Sequence, residues 1–336
     1  KMLTFIKNIL INMPSSWLNR TTHRLDIYDE KLAKTQFLEQ FEILFNNNNS
    51  EAIAISELPT AYDYIRLGHP LSCLLEWVIA NLNNIKPKNV ISFSSKTIPI
   101  LAILRKNLLA NKSTQIVFTD ELPKFIDFKV LKNIYGYKFD LKKVEKVEDI
   151  SAFNGSTVFI SQQDEISNID LKSDIDFFIN FHSQFGSILL VNGEQNESYI
   201  SEIQHVRRRE TIAMTPVNCL ANLNSIINKS TFENNKNNTE SDKKLVLESI
   251  ADITDTNTKA VVGSSGLSIQ YAIMMGLIHD ALENHKGKTI RFIVPPNCYG
   301  GTNDQARRVA ACINNVEVMD LCVDSGNDMV NSINLV

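Results

Sequence analysis

The sequence predicts an α/β fold: a mainly parallel sheet with helices on both faces, laid out in tandem. Three observations carry this expectation. Short apolar, β-branched runs such as Val90–Phe93 and Ile290–Val294 alternate with helical stretches of ten or so residues, the pattern of βαβ units. The order helix, strand, small polar turn, apolar helix, strand occurs twice along the chain. Between the two occurrences lies residues 231–244, almost without apolar content, which reads as a linker.

Composition narrows the function classes. The 336 residues suffice for two domains and a sizeable core, and 43% hydrophobic with 21% charged residues is a globular balance. A net charge of -4 points to neither a nucleic-acid nor an anionic-membrane partner. Arg207-Arg208-Arg209 reads as a solvated helix end. The five cysteines are scattered without a CxxC spacing, which argues for a reducing, cytoplasmic compartment and against a zinc site or disulfide framework. No apolar run reaches the roughly 18 residues of a membrane span. Met2–Met13 is interrupted by Lys7 and two Asn and has no small-residue cleavage site, so it reads as an N-terminal helix. The chain is expected to be part of something longer.

In order, residues 1–50 read as helical, with Leu32, Phe37, Phe41 and Leu44 at helical spacing. The loop Ala61–Pro70 leads into an amphipathic helix, Leu74–Leu82, carrying Glu76. Val90–Phe93 is a strand, Ser94-Ser95-Lys96 a polar turn, and Ile98–Leu109 an apolar helix. Further expected elements are a strand at Gln115–Thr119, a helix at Phe125–Tyr135, a strand at Thr157–Ser161, a helix at Asp174–Phe185 and a strand at Ser187–Asn192.

After the linker the pattern restarts. Leu245–Ile253 is an amphipathic helix, Ala260-Val261-Val262 a strand, Gly263–Gly266 a polar turn, Leu267–Leu282 an apolar helix and Ile290–Val294 a strand. Ser265 at the start of a helix is an ordinary N-cap residue. The same helix start offers free N–H groups and a positive dipole end to an anion, and Gly266 allows close backbone approach. Beyond the second strand comes Pro295-Pro296-Asn297-Cys298-Tyr299-Gly300-Gly301-Thr302. Paired glycines permit a sharp turn or close contact with a ligand, and Tyr299 offers a flat face with a polar tip. Both readings of the stretch, a packed turn and a pocket wall, are open on these residues alone.

Read together, these motifs resemble the pyridoxal-phosphate enzymes of cysteine and methionine metabolism, the trans-sulfuration family of cystathionine γ-synthase and β-lyase. Ser264-Ser265-Gly266-Leu267 and Asn297-Cys298-Tyr299-Gly300-Gly301-Thr302 match its Ser-Ser-Gly-Met and Cys-Tyr-Gly-Gly-Thr motifs in order. Val323–Asp328 looks like its next strand end. More remotely, Tyr64-Ile65-Arg66-Leu67-Gly68-His69-Pro70 looks like Tyr-Ser-Arg-x-Gly-Asn-Pro, and Ser167-Asn168-Ile169-Asp170 like Ser-x-x-Asn-Pro-x-Leu. The resemblance implies a fold-type I architecture. It also implies a site for pyridoxal 5'-phosphate in which Ser265, Gly266 and Leu267 bind the phosphate, Tyr299 stacks on the ring, and Tyr64 and Arg66 complete the phosphate cup. The first half departs from the family. Asn192 stands where the ring carboxylate is expected, residues 213–218 hold no cofactor lysine, and Leu122–Phe125 replaces Tyr-Gly-Gly-Thr. His69 replaces a family Asn and is expected to order its loop. His182 is expected to be structural.

The expected organisation is therefore a degenerate first domain (1–230), a linker (231–244) and the N-terminal part of a second domain (245–336). The implied chemistry is β- or γ-elimination or γ-replacement on a sulfur amino acid or homoserine ester. The first copy would be structural and cap the site of the second, in an intrachain pseudo-dimer or homo-oligomer. The alternative is a non-catalytic scaffold that kept the fold for partner binding.

Overall fold

Residues 1–19, 30–59, 64–165, 169, 171–229, 239–256 and 258–334 are described by the computed structural model. The chain forms two compact units. One comprises Lys1–Thr231 with Val309–Asn314, and the other Phe232–Arg308 with Asn315–Val336. Of the expected features, Ser167, Asn168, Asp170 and residues 231–238 lie outside the described residues.

The first unit begins with helices α1 (Met2–Asn12), α2 (Glu30–Asn46), α3 (Ala52–Ser56) and α4 (Pro70–Leu82). Then follow β1 (Val90–Phe93), α5 (Ile98–Leu109), β2 (Thr114–Phe118), α6 (Phe128–Asn133), β3 (Asp140–Lys143), β4 (Ser156–Ser161), β5 (Phe177–His182), β6 (Gly186–Val191), α7 (Ser198–Glu210) and α8 (Pro216–Asn228). The six strands form one sheet in the order β1-β6-β5-β4-β2-β3. β2 pairs in parallel with β3 and β4, and β4 with β5, while β6 runs antiparallel to both β5 and β1. Five strands therefore share one direction and β6 alone opposes them. The fold is mixed α/β with a mostly parallel central sheet.

The structure replaces the helix expected at Asp174–Phe185 with the strand β5. All six residues of β5 are buried, so it shows no alternation of apolar and polar positions. A parallel strand covered on both faces reads as a continuous apolar run, which periodicity alone cannot tell from a buried helix. The β5–β6 hairpin closes at Gly186, whose φ of +102° suits glycine and where a Cβ would run into the carbonyl of Phe93. This hairpin also relocates Asn192. Because β6 is antiparallel, Asn192 sits where the parallel strands begin, opposite the Ser94–Lys96 turn at the end of β1. Its side chain donates to the carbonyls of Lys172 (2.9 Å) and Ile175 (2.8 Å). Ligand sites in open α/β sheets lie at the carboxyl ends of the strands. Asn192 is a fastener at the other end of the strands, and its alignment with a ring carboxylate does not hold.

Helix α4 is buried along almost its whole length, and it carries a charge. Glu76 is 2% exposed and receives Lys34 from α2 at 2.5 Å, Arg207 from α7 at 3.3 Å, and both the N–H and hydroxyl of Ser92 in β1 at 2.8 Å. Burial opposes its ionisation, but Lys34 and Arg207 outweigh that and hold the carboxyl below its ordinary range. The N-cap of α4 is His69, fully buried. Its Nδ1 accepts from the Ser72 N–H (3.2 Å), so Nε2 carries the proton and donates to the carbonyl of Met214 (2.7 Å). Burial lowers the His69 pKa to about 4 despite that bond and the nearby Glu76 carboxylate. His69 thus orders its loop as a neutral group.

The second unit contains α9 (Thr239–Thr254), α10 (Gly266–Asn284), β7 (Ile290–Val294), α11 (Gly300–Cys312), β8 (Val316–Asp320) and α12 (Gly326–Asn334). Residues 239–244, expected as linker, are the first turns of α9. Its sheet has two strands, β7 and β8, paired in parallel from Ile290↔Val316 to Val294↔Asp320. Ala260-Val261-Val262, expected as a strand, is not one. The strand end expected at Val323–Asp328 lies earlier, at Asp320, and Ser325 instead caps α12 by accepting from the Asp328 N–H at 3.1 Å.

Two outcomes follow for the first unit. Replacing Glu76 by Ala strands Lys34 and Arg207 in the core and lowers its stability by about 3–5 kcal/mol in urea unfolding at neutral pH. A histidine held neutral by the fold stabilises fully above its unfolded pKa and loses that contribution as pH falls toward its folded value. Between pH 6.5 and 5 the His69 contribution falls by about 2 kcal/mol. The His69→Asn variant, which retains a capping side chain, shows a pH slope shallower by that amount.

Candidate functional site

The strongest site features gather in the second unit around the start of α10. Ser265 is its N-cap: the hydroxyl accepts from the Ser268 N–H (3.2 Å), and the Ser268 hydroxyl accepts from the Ser265 N–H (2.9 Å). This capping box takes up the N3 donor and the cap's own donor. Gly266 and Leu267, at N1 and N2, point their N–H groups out of the helix ladder, as the first turn of any helix must. A Cβ built on Gly266 would meet nothing within 4 Å, so the space beside this glycine is open. The arrangement offers two backbone donors and the positive dipole end to an anion.

Tyr299 reaches the same place from the end of β7. A Cβ on Gly301 would come within 2.6 Å of the Tyr299 ring and 2.9 Å of the Leu267 side chain. Glycine at 301 is thus what lets the tyrosine ring lie beside the helix start. The ring remains 60% exposed, with a face toward solvent. Thr302 at the start of α11 ties this turn to α10, its hydroxyl donating to Gln270 at 2.8 Å. Four expected residues, Ser265, Gly266, Leu267 and Tyr299, are therefore brought together. Gly301 and Gln270 were not assigned roles from the sequence. Gly301 was visible in the Tyr-Gly-Gly-Thr motif, but Gln270 lies mid-helix with no signal.

Tyr64 and Arg66 belong to the first unit. The Arg66 guanidinium lies over the Tyr64 ring, 4.5 Å from its centroid, and donates to the carbonyl of Arg208 at 3.2 Å. The loop is further tied down where the Ala213 N–H donates to the Ile65 carbonyl (2.9 Å). These two residues are brought to each other and to the segment 208–213.

At the end of β1, in the first unit, the backbone donors of the turn are taken up internally. Ser95 accepts from the N–H groups of Thr97 and Ile98, both at 3.2 Å, and Pro99 has no N–H to give. Lys96 donates to the Ser183 carbonyl at 2.6 Å and lies 5.2 Å from the Phe125 ring centroid. Phe125 in turn packs edge-on against Phe181 at 5.2 Å. Burial lowers the Lys96 pKa, opposed by the Asp164 carboxylate. His182 is structural, although in a strand: its Nδ1 accepts from the N–H groups of Gln184 (3.0 Å) and Phe185 (3.2 Å). Thr215, in the region lacking a lysine, is the N-cap of α8. Cys298 is half-buried, its thiol 3.6 Å from the Tyr299 carbonyl. Among the described residues no group of His, Cys, Asp and Glu could hold a metal ion, and no helix is long and apolar enough to cross a membrane.

No family model matches this sequence, and no curated protein is significantly similar to it. Among solved structures, the chain is similar to metB from Corynebacterium glutamicum, with 13% identity and a TM-score of 0.34, covering 51% of this chain and 54% of that one. It is also similar to Bna3p from Saccharomyces cerevisiae, described as a candidate kynurenine aminotransferase, with 13% identity and a TM-score of 0.35 over 74% of this chain and 72% of that one. The chain thus spans about half the length of the first. Likenesses at this level define neither a family nor a site for this protein.

The capping box has a measurable role of its own. Removing the hydroxyl in a Ser265→Ala variant costs the start of α10 about 1 kcal/mol, read as faster hydrogen exchange confined to the second unit.

Proposed function

We propose that the second unit carries the phosphate and ring subsites of a pyridoxal-phosphate enzyme of the trans-sulfuration type, and that the first unit is a degenerate structural copy. The observation that carries this reading is the meeting of Tyr299, Leu267 and Gly301 beside the open space over Gly266. An anion of phosphate size suits two outward N–H donors at a helix start, and an aromatic heterocycle attached to it suits a neighbouring tyrosine face. In this reading Gly266 and Leu267 donate to the phosphate, and Tyr299 fixes the plane of the ring. Bound there, the pyridoxal ring would supply an electron sink for elimination or replacement at Cβ or Cγ of a sulfur amino acid or homoserine ester. Tyr64 and Arg66 are assigned the capping of the phosphate, a task for which the guanidinium fork is suited. The capped pair would be an intrachain pseudo-dimer or a homo-oligomer.

A second reading, a non-catalytic scaffold, has its own support in the first unit. There Ser95, Lys96, Pro99 and Phe125 replace an anion cradle by internal contacts, and residues 213–218 hold no lysine. Both readings share the fold and differ in whether the second unit holds the cofactor.

Titration with pyridoxal phosphate, followed by its absorbance and by quenching of protein fluorescence, separates them. The catalytic reading expects saturable binding, weaker for pyridoxal lacking the phosphate. Tyr299→Ala should weaken it about 3–10-fold through lost stacking, and Gly266→Val should weaken it by filling the space beside Gly266. Absence of binding, or binding indifferent to both substitutions, leaves the scaffold. Arg66→Ala tests the cap separately, and unchanged affinity removes that role alone.

A further inference from the structure

The turn between β5 and β6 is held by three titratable side chains from three parts of the first unit. His182, the last residue of β5, is 2% exposed. Its Nδ1 accepts from the N–H groups of Gln184 (3.0 Å) and Phe185 (3.2 Å), and its ring stacks on that of Phe185 with centroids 4.1 Å apart. Asp164, past the end of β4, accepts at Oδ1 from the Ser183 N–H (2.8 Å) and at Oδ2 from the Ser183 hydroxyl (2.9 Å). Lys96, in the turn after β1, donates to the Ser183 carbonyl (2.6 Å). The Ser187 hydroxyl, at the start of β6, donates back to the Ser95 carbonyl (2.5 Å).

These contacts fix the proton of His182. An Nδ1 that accepts two N–H groups keeps its lone pair, so the ring is neutral and its proton sits on Nε2. Asn and Asp close turns in the same way with a side-chain oxygen. Here the acceptor titrates. A proton added at Nδ1 removes the acceptor and sets a donor against two other donors. The partner for the new N–H is in place: Asp164 Oδ1 lies 3.6 Å from Nδ1, and that oxygen already holds the Ser183 N–H. Protonation therefore withdraws two bonds from the turn and makes the ring compete for the acceptor of a third. Burial opposes the charged ring, the Asp164 carboxylate favours it, and the Lys96 ammonium opposes it. The balance holds the His182 pKa below its ordinary 6.5.

We propose that His182 is a pH-sensitive catch on the β5–β6 turn: neutral, it holds the turn shut through Gln184 and Phe185, and protonated, it releases both and pairs with Asp164. The closed turn favours the neutral ring, so the catch is fully set above pH 6.5 and is lost as pH falls toward the folded value. The turn stands at the carboxyl end of β5, the end of an open α/β sheet at which ligands bind. Opening it also takes the Ser183 carbonyl from Lys96 and loosens the tie between Ser187 and Ser95, so the turn after β1 is freed with it. The catch lies wholly in the first unit and does not depend on the pyridoxal-phosphate reading.

Hydrogen exchange of the chain at pH 7 and pH 5, corrected for the intrinsic pH dependence of amide exchange, tests the catch together with an NMR titration of the His182 ring. Peptides over 183–187 and 94–97 should lose about tenfold in protection at pH 5, and the ring should titrate below 6.5. His182→Asn keeps an acceptor for the Gln184 N–H but cannot titrate, so its turn should stay protected at pH 5. His69 is present in both proteins, and its own titration drops out of the comparison. Asp164→Asn removes the carboxylate that favours the charged ring and should move the His182 titration lower still. Protection over 183–187 that is unchanged at pH 5 overturns the proposal. So does an equal loss in His182→Asn, or a ring that titrates at 6.5 or above. The exchange and titration of the unaltered chain decide the matter even where a variant fails to fold.

Discussion

A parallel sheet must be buried on both faces, because its connections run over the faces and its strands carry apolar residues on both sides. The two units meet this requirement very differently. In the first, β4, β5 and β6 are buried at every position and the helices α4 and α5 are sunk into the structure. In the second, β7 and β8 have each other and partial cover. The same requirement accounts for the burial of Asn180 and His182 in β5, whose polar atoms are matched by the Gln163 backbone and by the turn after the strand.

Burial of that extent leaves little room for charge, and the first unit handles it by pairing. Glu76 joins α2, α4, β1 and α7 through Lys34, Ser92 and Arg207. A second pair, Arg105 of α5 and Glu210 of α7, forks together with Tyr137 on the Arg105 Nε at 3.1 Å. Such pairs add little net stability over an apolar core, yet they penalise any arrangement that leaves one member unpaired. They hold α7 in register on the sheet, and with it the segment 208–213 against which Tyr64 and Arg66 are folded.

The turns at Ser95 and Ser265, each leading into a helix, dispose of their backbone donors differently. Ser265 is the N-cap of α10, whereas the N-cap of α5 is Thr97, two residues after Ser95. After Ser265 come a glycine with open space above it and two outward N–H groups. After Ser95 come a lysine committed to the Ser183 carbonyl, donors satisfied by the serine itself, and a proline. The tyrosine beside the Ser265 turn and the phenylalanine beside the Ser95 turn follow the same division: Tyr299 keeps an exposed face, while Phe125 packs on Phe181 and under Lys96.

Local chemistry was enough to place much of this in the sequence. The strands at Val90–Phe93 and Ile290–Val294, the helix at Ile98–Leu109 and the Ser265 cap could be read because each is set by neighbouring residues. The association of Ser265, Gly266, Leu267 and Tyr299 could be read from motif order. What tertiary structure alone decided were the features that depend on distant partners. β5 is a strand because β4 and β6 flank it, although its apolar run suits a helix equally. Asn192 lies at the far end of the strands because the chain reverses direction at Gly186. Residues 260–262 have the composition of a strand but, among the described residues, no strand to pair with, and a strand without a partner cannot satisfy its own backbone. The sequence by itself determined which segments can be buried and, at a local cap such as Ser265, where a helix starts. The sheet, through pairing that no local window contains, decided which of them become strands and which end of the molecule each side chain serves.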